Sequence, residues 1–193
     1  MLFRSKVLTN LLLAETIAQG KVSDTTTIGE LMGSEIPFAQ PEVGKITLLE
    51  LATHRSGLPR LPSNLMPSDP LDPYADFDEA ALISAMKDVR ALQPLNKKYA
   101  YSNLGVGLLG YLLGKVHGSD YRSAVAEHVL APLGMSRSNF SDGLDLMPGF
   151  TGGEKHPVWH FQDAITAAGG LRSCTDDLMR LGRWALAAKE TDR

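Results

Sequence analysis

The sequence contains a single cysteine, Cys174, among its 193 residues. One cysteine excludes a disulfide within the chain and a metal site built from several cysteines. Because Cys174 lies in a short polar segment, Arg-Ser-Cys-Thr, we favour a structural role for it, with a role as nucleophile as the alternative. A lone cysteine leaves the redox compartment, and with it the localisation of the chain, undetermined.

An excess of positive charge and a long apolar run are also missing. The net charge is -3 and the isoelectric point is about 5.9, which gives no basic face for a phosphate backbone. We therefore expect no nucleic-acid partner.

No apolar run reaches the roughly 20 residues that span a membrane. The longest early stretch, 7–14, is interrupted by Thr9 and Asn10, so we interpret it as a core helix rather than a signal peptide.

Strand signals are scarce, whereas helix signals recur along the chain. Between Lys6 and Ala18 apolar residues recur every three or four positions, and Gly20 supplies a stop. A buried helix normally enters from preceding structure, yet this one begins almost at the first residue. We therefore expect the chain to be a cut piece of a longer fold. A composition of 44% hydrophobic and 21% charged residues fits one domain with a substantial core.

The segment 46–59 predicts a second helix with defined ends. Thr47 and Glu50 have the spacing of a capping box, and Gly57 followed by Pro59 predicts the end of the helix. Five prolines between positions 59 and 73 then predict a long surface loop of the kind that rims binding sites. Three further helices are predicted at 77–89, 121–130 and 176–188.

The tripeptide Tyr101-Ser102-Asn103 follows a turn at 96–99 and precedes an apolar helix predicted at 104–116. A tyrosine and an asparagine two residues apart at a helix start can both face one cleft. The structural alternative is a tyrosine packed on the core and an asparagine that caps its own helical turn. Within the helix, glycines at 105, 107, 110 and 114 predict close approach of a neighbouring backbone.

Together these segments resemble the serine β-lactamase and penicillin-binding-protein family. The resemblance is to its class C-like branch, which includes esterases and D-alanyl-D-alanine peptidases. It rests on the segments 6–20, 47–59, 101–103, 131–135 and 169–181, which occur in the family's order. It implies an α+β fold of which this chain holds mainly the helical lobe, with few strands and most of the antiparallel sheet missing. We expect one partial domain over residues 1–193 that lacks the family's N-terminal and C-terminal strands.

The resemblance also implies an acyl-transfer mechanism without a cofactor. In the family a serine attacks a β-lactam, ester or peptide carbonyl of a small-molecule substrate, and the acyl-enzyme is hydrolysed. The serine and a lysine form a Ser-x-x-Lys motif at a helix start. Lys6 matches the lysine, but Phe3 stands at the serine position. Ser5 does not replace it, because adjacent helical residues point about 100° apart.

The family roles of the other two site residues follow from the same resemblance. Tyr101 would act as general base and proton shuttle, with its pKa lowered by the Lys6 ammonium, and Asn103 would hold the substrate amide or the lysine. The catalytic residues predicted from the sequence are therefore Lys6, Tyr101 and Asn103. For Lys6 the alternative is a solvated residue in the first helical turn.

A third family motif, a Lys-Thr-Gly-like triad on a strand beside the site, has no counterpart after Gly170. We therefore expect a serine hydrolase by family that is inactive as this chain, with a non-catalytic remnant or binding module as the alternative. Helices without their sheet would expose apolar surface, so we also expect self-association.

His156 and His160 with Glu154 suggest metal binding only weakly, because Pro157 interrupts their spacing. His54 is predicted to cap or support its loop.

Overall fold

Helices dominate the computed structural model, which describes residues 2–33, 36–92, 98–141 and 146–187. The helices are α1 (Leu2–Ala18), α2 (Ile28–Met32), α3 (Leu48–Ala52), α4 (Glu79–Asp88), α5 (Asn103–Val116), α6 (Tyr121–Val125), α7 (Asp163–Thr166) and α8 (Thr175–Ala187), with a 3-10 helix at Pro41–Lys45 and a π-helical turn at Ala126–Leu130. Strands β1 (Gly149–Thr151) and β2 (Glu154–His156) form an antiparallel hairpin. The predicted helical lobe with few strands is confirmed.

The predicted helix positions agree with this architecture apart from their ends. The segment predicted at 77–89 forms α4, with Asp78 as its N-cap. The segment predicted at 121–130 forms α6 and the π-helical turn. The last helix ends at Ala187 in the described part of the chain, and residue 188 lies outside it. Residues 96 and 97 of the predicted turn also lie outside the described residues.

The start of α3 is as predicted, but its end is not. The Thr47 side chain accepts a hydrogen bond from the Glu50 N–H at 3.2 Å, and the Glu50 carboxylate accepts from the Thr47 N–H at 2.8 Å, which completes the capping box. The helix ends at Ala52, however, and not near Gly57. His54 takes a left-handed conformation with φ of 57° and turns the chain out of the helix.

Helix α5 lies at the centre of the fold and is in contact with α1, α3, α6 and α7. Its residues from Asn103 to Gly110 are all buried, so neighbours surround its first two turns. The glycine spacing predicts this packing correctly. A Cβ atom on Gly114 would lie 2.6 Å from the Tyr121 backbone nitrogen, and one on Gly110 would lie 2.2 Å from the Ala167 Cβ. These glycines let α6 and α7 approach α5 closely.

Helix α8 leaves several apolar side chains exposed to solvent. Met179, Trp184 and Leu186 are 52%, 49% and 90% exposed, respectively. These side chains belong to the exposed apolar surface expected from the sequence, and self-association through that surface stays a prediction. Among the described helices none is long and apolar enough to cross a membrane.

Replacing Gly110 with alanine is expected to destabilise the chain, although alanine is the better helix former. The added methyl group would meet the Ala167 Cβ and the Tyr121 ring. Overpacking of this kind lowers the free energy of unfolding by about 1–3 kcal/mol. The matched control is Gly182→Ala in α8, where nothing lies within 4 Å. It should raise stability by about 0.5–1 kcal/mol. Urea unfolding followed by circular dichroism measures both, and equal effects would contradict the packing.

Candidate functional site

The Lys6 side chain is turned into the protein from the first part of α1. The residue is only 7% exposed. Its Nζ atom donates a hydrogen bond to the Ala168 carbonyl oxygen at 2.5 Å and lies 5.0 Å from the centroid of the Tyr101 ring. Burial, and after it the positive charge of Arg60, lowers the pKa of Lys6 to about 8. The alternative of a solvated Lys6 is therefore wrong, and its amine gives up a proton more readily than an exposed one.

Tyr101 is half-buried, with two cations near its ring. Besides the Lys6 amine, the Arg60 guanidinium lies 5.3 Å from the ring centroid. The pKa of Tyr101 is nevertheless raised, chiefly by burial, and the charge of Arg60 offsets this only in part. The prediction that Lys6 lowers the pKa of Tyr101 is therefore wrong. Removing water from around a phenolate outweighs the attraction of the nearby cations, so the phenol keeps its proton at neutral pH.

Ser102 joins the start of α5 to the proline-rich loop. Its Oγ accepts a hydrogen bond from the Gly105 N–H at 2.8 Å and donates to the Pro59 carbonyl oxygen at 2.7 Å. Ser102, and not Asn103, is therefore the N-cap, so the alternative in which Asn103 caps its own turn is wrong. The Ser102 N–H donates to His54 Nδ1 at 3.2 Å, so the His54 side chain supports the segment that leads into α5.

Asn103 is the first residue of α5 and is 2% exposed. Its Nδ2 donates a hydrogen bond to the Tyr74 hydroxyl at 3.2 Å, while its Oδ1 is buried and has no hydrogen-bond partner in the described part of the chain. The Tyr74 ring stacks on Phe161 at a centroid distance of 4.8 Å and meets Trp159 edge to face. Tyr74, itself held by these rings, fixes the position of the Asn103 amide.

The region before Lys6 contains no accessible serine among the described side chains. Ser5 is fully buried, and its Oγ accepts a hydrogen bond from the Leu171 N–H at 3.1 Å. Its direction into the core agrees with the prediction that Ser5 does not replace the nucleophile. Phe3 lies on the first turn of α1, and its side chain is outside the described residues.

A family model described as Beta-lactamase matches residues 5–193 of this chain. The match includes both Lys6 and the Tyr101-Ser102-Asn103 tripeptide. The chain belongs to the β-lactamase family.

Curated proteins and solved structures of β-lactamase type agree with this assignment. Beta-lactamase-like protein 2 of Dictyostelium discoideum is 39% identical over 97 residues, which are 49% of this chain and 17% of that protein. The D-alanyl-D-alanine-carboxypeptidase/endopeptidase AmpH of Escherichia coli K12 is 27% identical over 91% of this chain and 46% of its own length. The chain thus spans less than half the length of these relatives.

Two solved structures show that the fold is shared. A β-lactamase/D-alanine carboxypeptidase from Yersinia pestis, complexed with citrate, superposes with a TM-score of 0.78 at 22% identity, covering 100% of this chain and 56% of that one. A class C β-lactamase from Rhodobacter sphaeroides gives a TM-score of 0.72 at 23% identity, covering 92% and 48%.

In this β-lactamase-family chain the three predicted site residues have different neighbours. Lys6 and Tyr101 are in direct contact, whereas Asn103 is held by Tyr74. Their catalytic roles stay predictions. Sequence reasoning missed Tyr74 and Arg60, which lie on the loop after α3. The five prolines predict that this loop lies beside a site, but no pattern in the loop distinguishes Tyr74 or Arg60 from its other residues.

The weak suggestion that His156, His160 and Glu154 bind a metal ion gains no support from the structure. The His160 ring is hydrogen-bonded to the Asp72 carboxylate, which ties the loop before α7 to the proline-rich loop. Within the described ranges of the chain, no group of three or more histidine, cysteine, aspartate or glutamate side chains is arranged to hold a metal ion.

Ser102→Ala is expected to destabilise the chain and loosen this part of the site. The change removes the N-cap of α5 and the hydrogen bond to Pro59, and cap losses lower the free energy of unfolding by about 0.5–2 kcal/mol. The matched control is Thr53→Ala, which removes an exposed hydroxyl bonded to Leu49 and should change stability by less than about 0.5 kcal/mol. Chemical denaturation compares the two variants, and similar losses would argue against the role assigned to Ser102.

Proposed function

We propose that Lys6, Tyr101 and Asn103 form the proton-transfer and amide-binding side of an acyl-transfer site. Its substrate would be a β-lactam, ester or D-alanyl peptide carbonyl, the classes that the family resemblance implies. The observation that most supports this is the buried Lys6 amine, with a pKa of about 8, in contact with the Tyr101 ring. A lysine so placed can accept a proton near neutral pH, as a general base must.

The shifted pKa values of Lys6 and Tyr101 indicate different roles in proton transfer. Because burial lowers the pKa of Lys6 and raises that of Tyr101, the amine is the better proton acceptor at neutral pH. In this proposal Lys6 is the base, and the Tyr101 phenol relays a proton by donating its own while accepting another. Asn103 offers its buried Oδ1 to an N–H donor, while Tyr74 fixes its amide nitrogen.

Phe3 decides whether this chain completes the reaction. A phenylalanine side chain has no atom that forms an ester with an acyl group, and losing the nucleophile of a serine hydrolase lowers turnover on the order of a millionfold. We therefore propose that the chain as it stands is not catalytic. The same residue favours a second candidate function, a non-catalytic module that binds the acyl compound reversibly.

Restoring the hydroxyl tests the proposal by gain of function. The Phe3→Ser variant is incubated with a fluorescent penicillin, and covalent labelling is followed by gel fluorescence and intact mass. We expect slow labelling of Phe3→Ser and none of the unaltered chain. The matched control Phe3→Ala removes the ring without supplying a hydroxyl and should stay unlabelled. Lys6→Met in the Phe3→Ser background should lower labelling by about a hundredfold or more.

Two results would change the assignment. Turnover of nitrocefin or p-nitrophenyl butyrate by the unaltered chain, abolished by Tyr101→Phe, would show that it is an enzyme despite Phe3. Reversible penicillin binding by every variant, with no labelling of Phe3→Ser, would favour the binding module.

A further inference from the structure

His54 ends helix α3 in a conformation that is rare for a residue with a side chain. The Arg55 N–H donates to the Glu50 carbonyl oxygen at 2.8 Å and the His54 N–H to the Leu51 carbonyl oxygen at 3.3 Å. These two bonds form a Schellman motif with His54 at the left-handed position, which is usually glycine. A φ of 57° costs a residue other than glycine about 1–2 kcal/mol. Contacts of the histidine side chain must offset this cost.

In the part of the chain that the structure describes, those contacts are made to the segment that leads into α5. The His54 ring lies 4.7 Å from the Tyr101 ring, at an interplanar angle of 35°. Its Nδ1 accepts a hydrogen bond from the Ser102 N–H, and its carbonyl oxygen accepts one from the Ala100 N–H at 2.8 Å. A single residue thus holds the backbone on both sides of Tyr101 and packs against the Tyr101 ring.

The hydrogen bonding also fixes the charge and tautomer of the ring. A nitrogen that accepts the Ser102 N–H carries no proton, so the hydrogen of the neutral ring is on Nε2. Burial, and after it the charge of Lys6, lowers the pKa of His54 below its usual value. The ring is therefore neutral at physiological pH and adds no third cation beside Tyr101.

We propose that His54 is a positioning residue for Tyr101, fixing the phenol ring against the Lys6 amine. The effect of this positioning on catalysis rests on the proposed function, whereas the positioning of Tyr101 by His54 is a property of the fold. A role in ending the helix does not explain a histidine here. Glycine takes the left-handed conformation without strain, and asparagine, aspartate and histidine all take it more often than other residues, so the backbone alone does not select histidine.

Two substitutions separate helix ending from positioning. His54→Gly suits the backbone best and removes both the ring and the Nδ1 acceptor. His54→Asn also tolerates the backbone and retains a polar group near the place of Nδ1, but it lacks the ring against Tyr101. Both variants should stay folded. If His54 only ends the helix, neither should disturb Tyr101.

The primary readout needs no activity. Nuclear Overhauser contacts between the Tyr101 ring protons and the Lys6 ε-protons report the 5.0 Å contact of the amine with the ring. We expect them to weaken strongly in His54→Gly and His54→Asn. Contacts between the stacked Tyr74 and Phe161 rings should persist as an internal control of the fold. The matched control Tyr99→Leu removes the ring on another side of His54, 5.6 Å away, and should preserve the Tyr101 contact.

A second readout uses the Phe3→Ser background. There, His54→Asn should lower the rate constant of penicillin acylation by about ten- to a hundredfold while leaving the reversible dissociation constant unchanged, because the phenol is misplaced but the binding groups remain. Unchanged Tyr101–Lys6 contacts in both His54 variants would overturn the proposal. If Phe3→Ser is not acylated at all, the proposed function fails, and the contact measurement alone still decides the role of His54.

Discussion

The buried hydrogen bond from the Lys6 amine to the Ala168 carbonyl oxygen joins two parts of the chain that are 162 residues apart. It connects α1 with the segment after α7, and it holds the amine where it meets the Tyr101 ring. Taking a lysine amine out of water is unfavourable for its charged form, and this is the main cause of its lowered pKa. The chemistry proposed for the site depends on this one buried group.

The packing around α5 makes that arrangement possible. Glycines on α5 let the backbone of α7 lie in close contact with it, and Ala168 is the second residue after α7. The N-terminus of the same helix carries Asn103, with Tyr101 and Ser102 just before it. A bulky residue in this glycine series would displace α7 and, with it, the carbonyl group that holds Lys6. Fold stability and site geometry therefore share the same contacts.

Local signals in the sequence were enough to predict most helices and the family. The Thr47–Glu50 capping box is a pattern between near neighbours in the chain. The glycines of α5 reflect a simple steric requirement for close packing. Both predictions are confirmed. Lys6 and Tyr101 were placed at one site by family resemblance, and the structure brings them into contact. Local patterns in the sequence therefore predict most of the fold class.

What the sequence did not predict depends on contacts between distant segments. The sequence predicts that α3 ends near Gly57, because glycine is the usual left-handed residue after a helix, whereas His54 takes that position and contacts Tyr101 and Ser102. The pKa of Tyr101 was expected to fall because a cation is near, but burial of the phenol dominates. A direct titration of the Lys6 side chain by carbon-detected NMR, assigned with Lys6→Met, tests the central claim that this burial prepares a base. A pKa of about 8 is predicted, whereas a value near the 10.4 of an exposed lysine would contradict it.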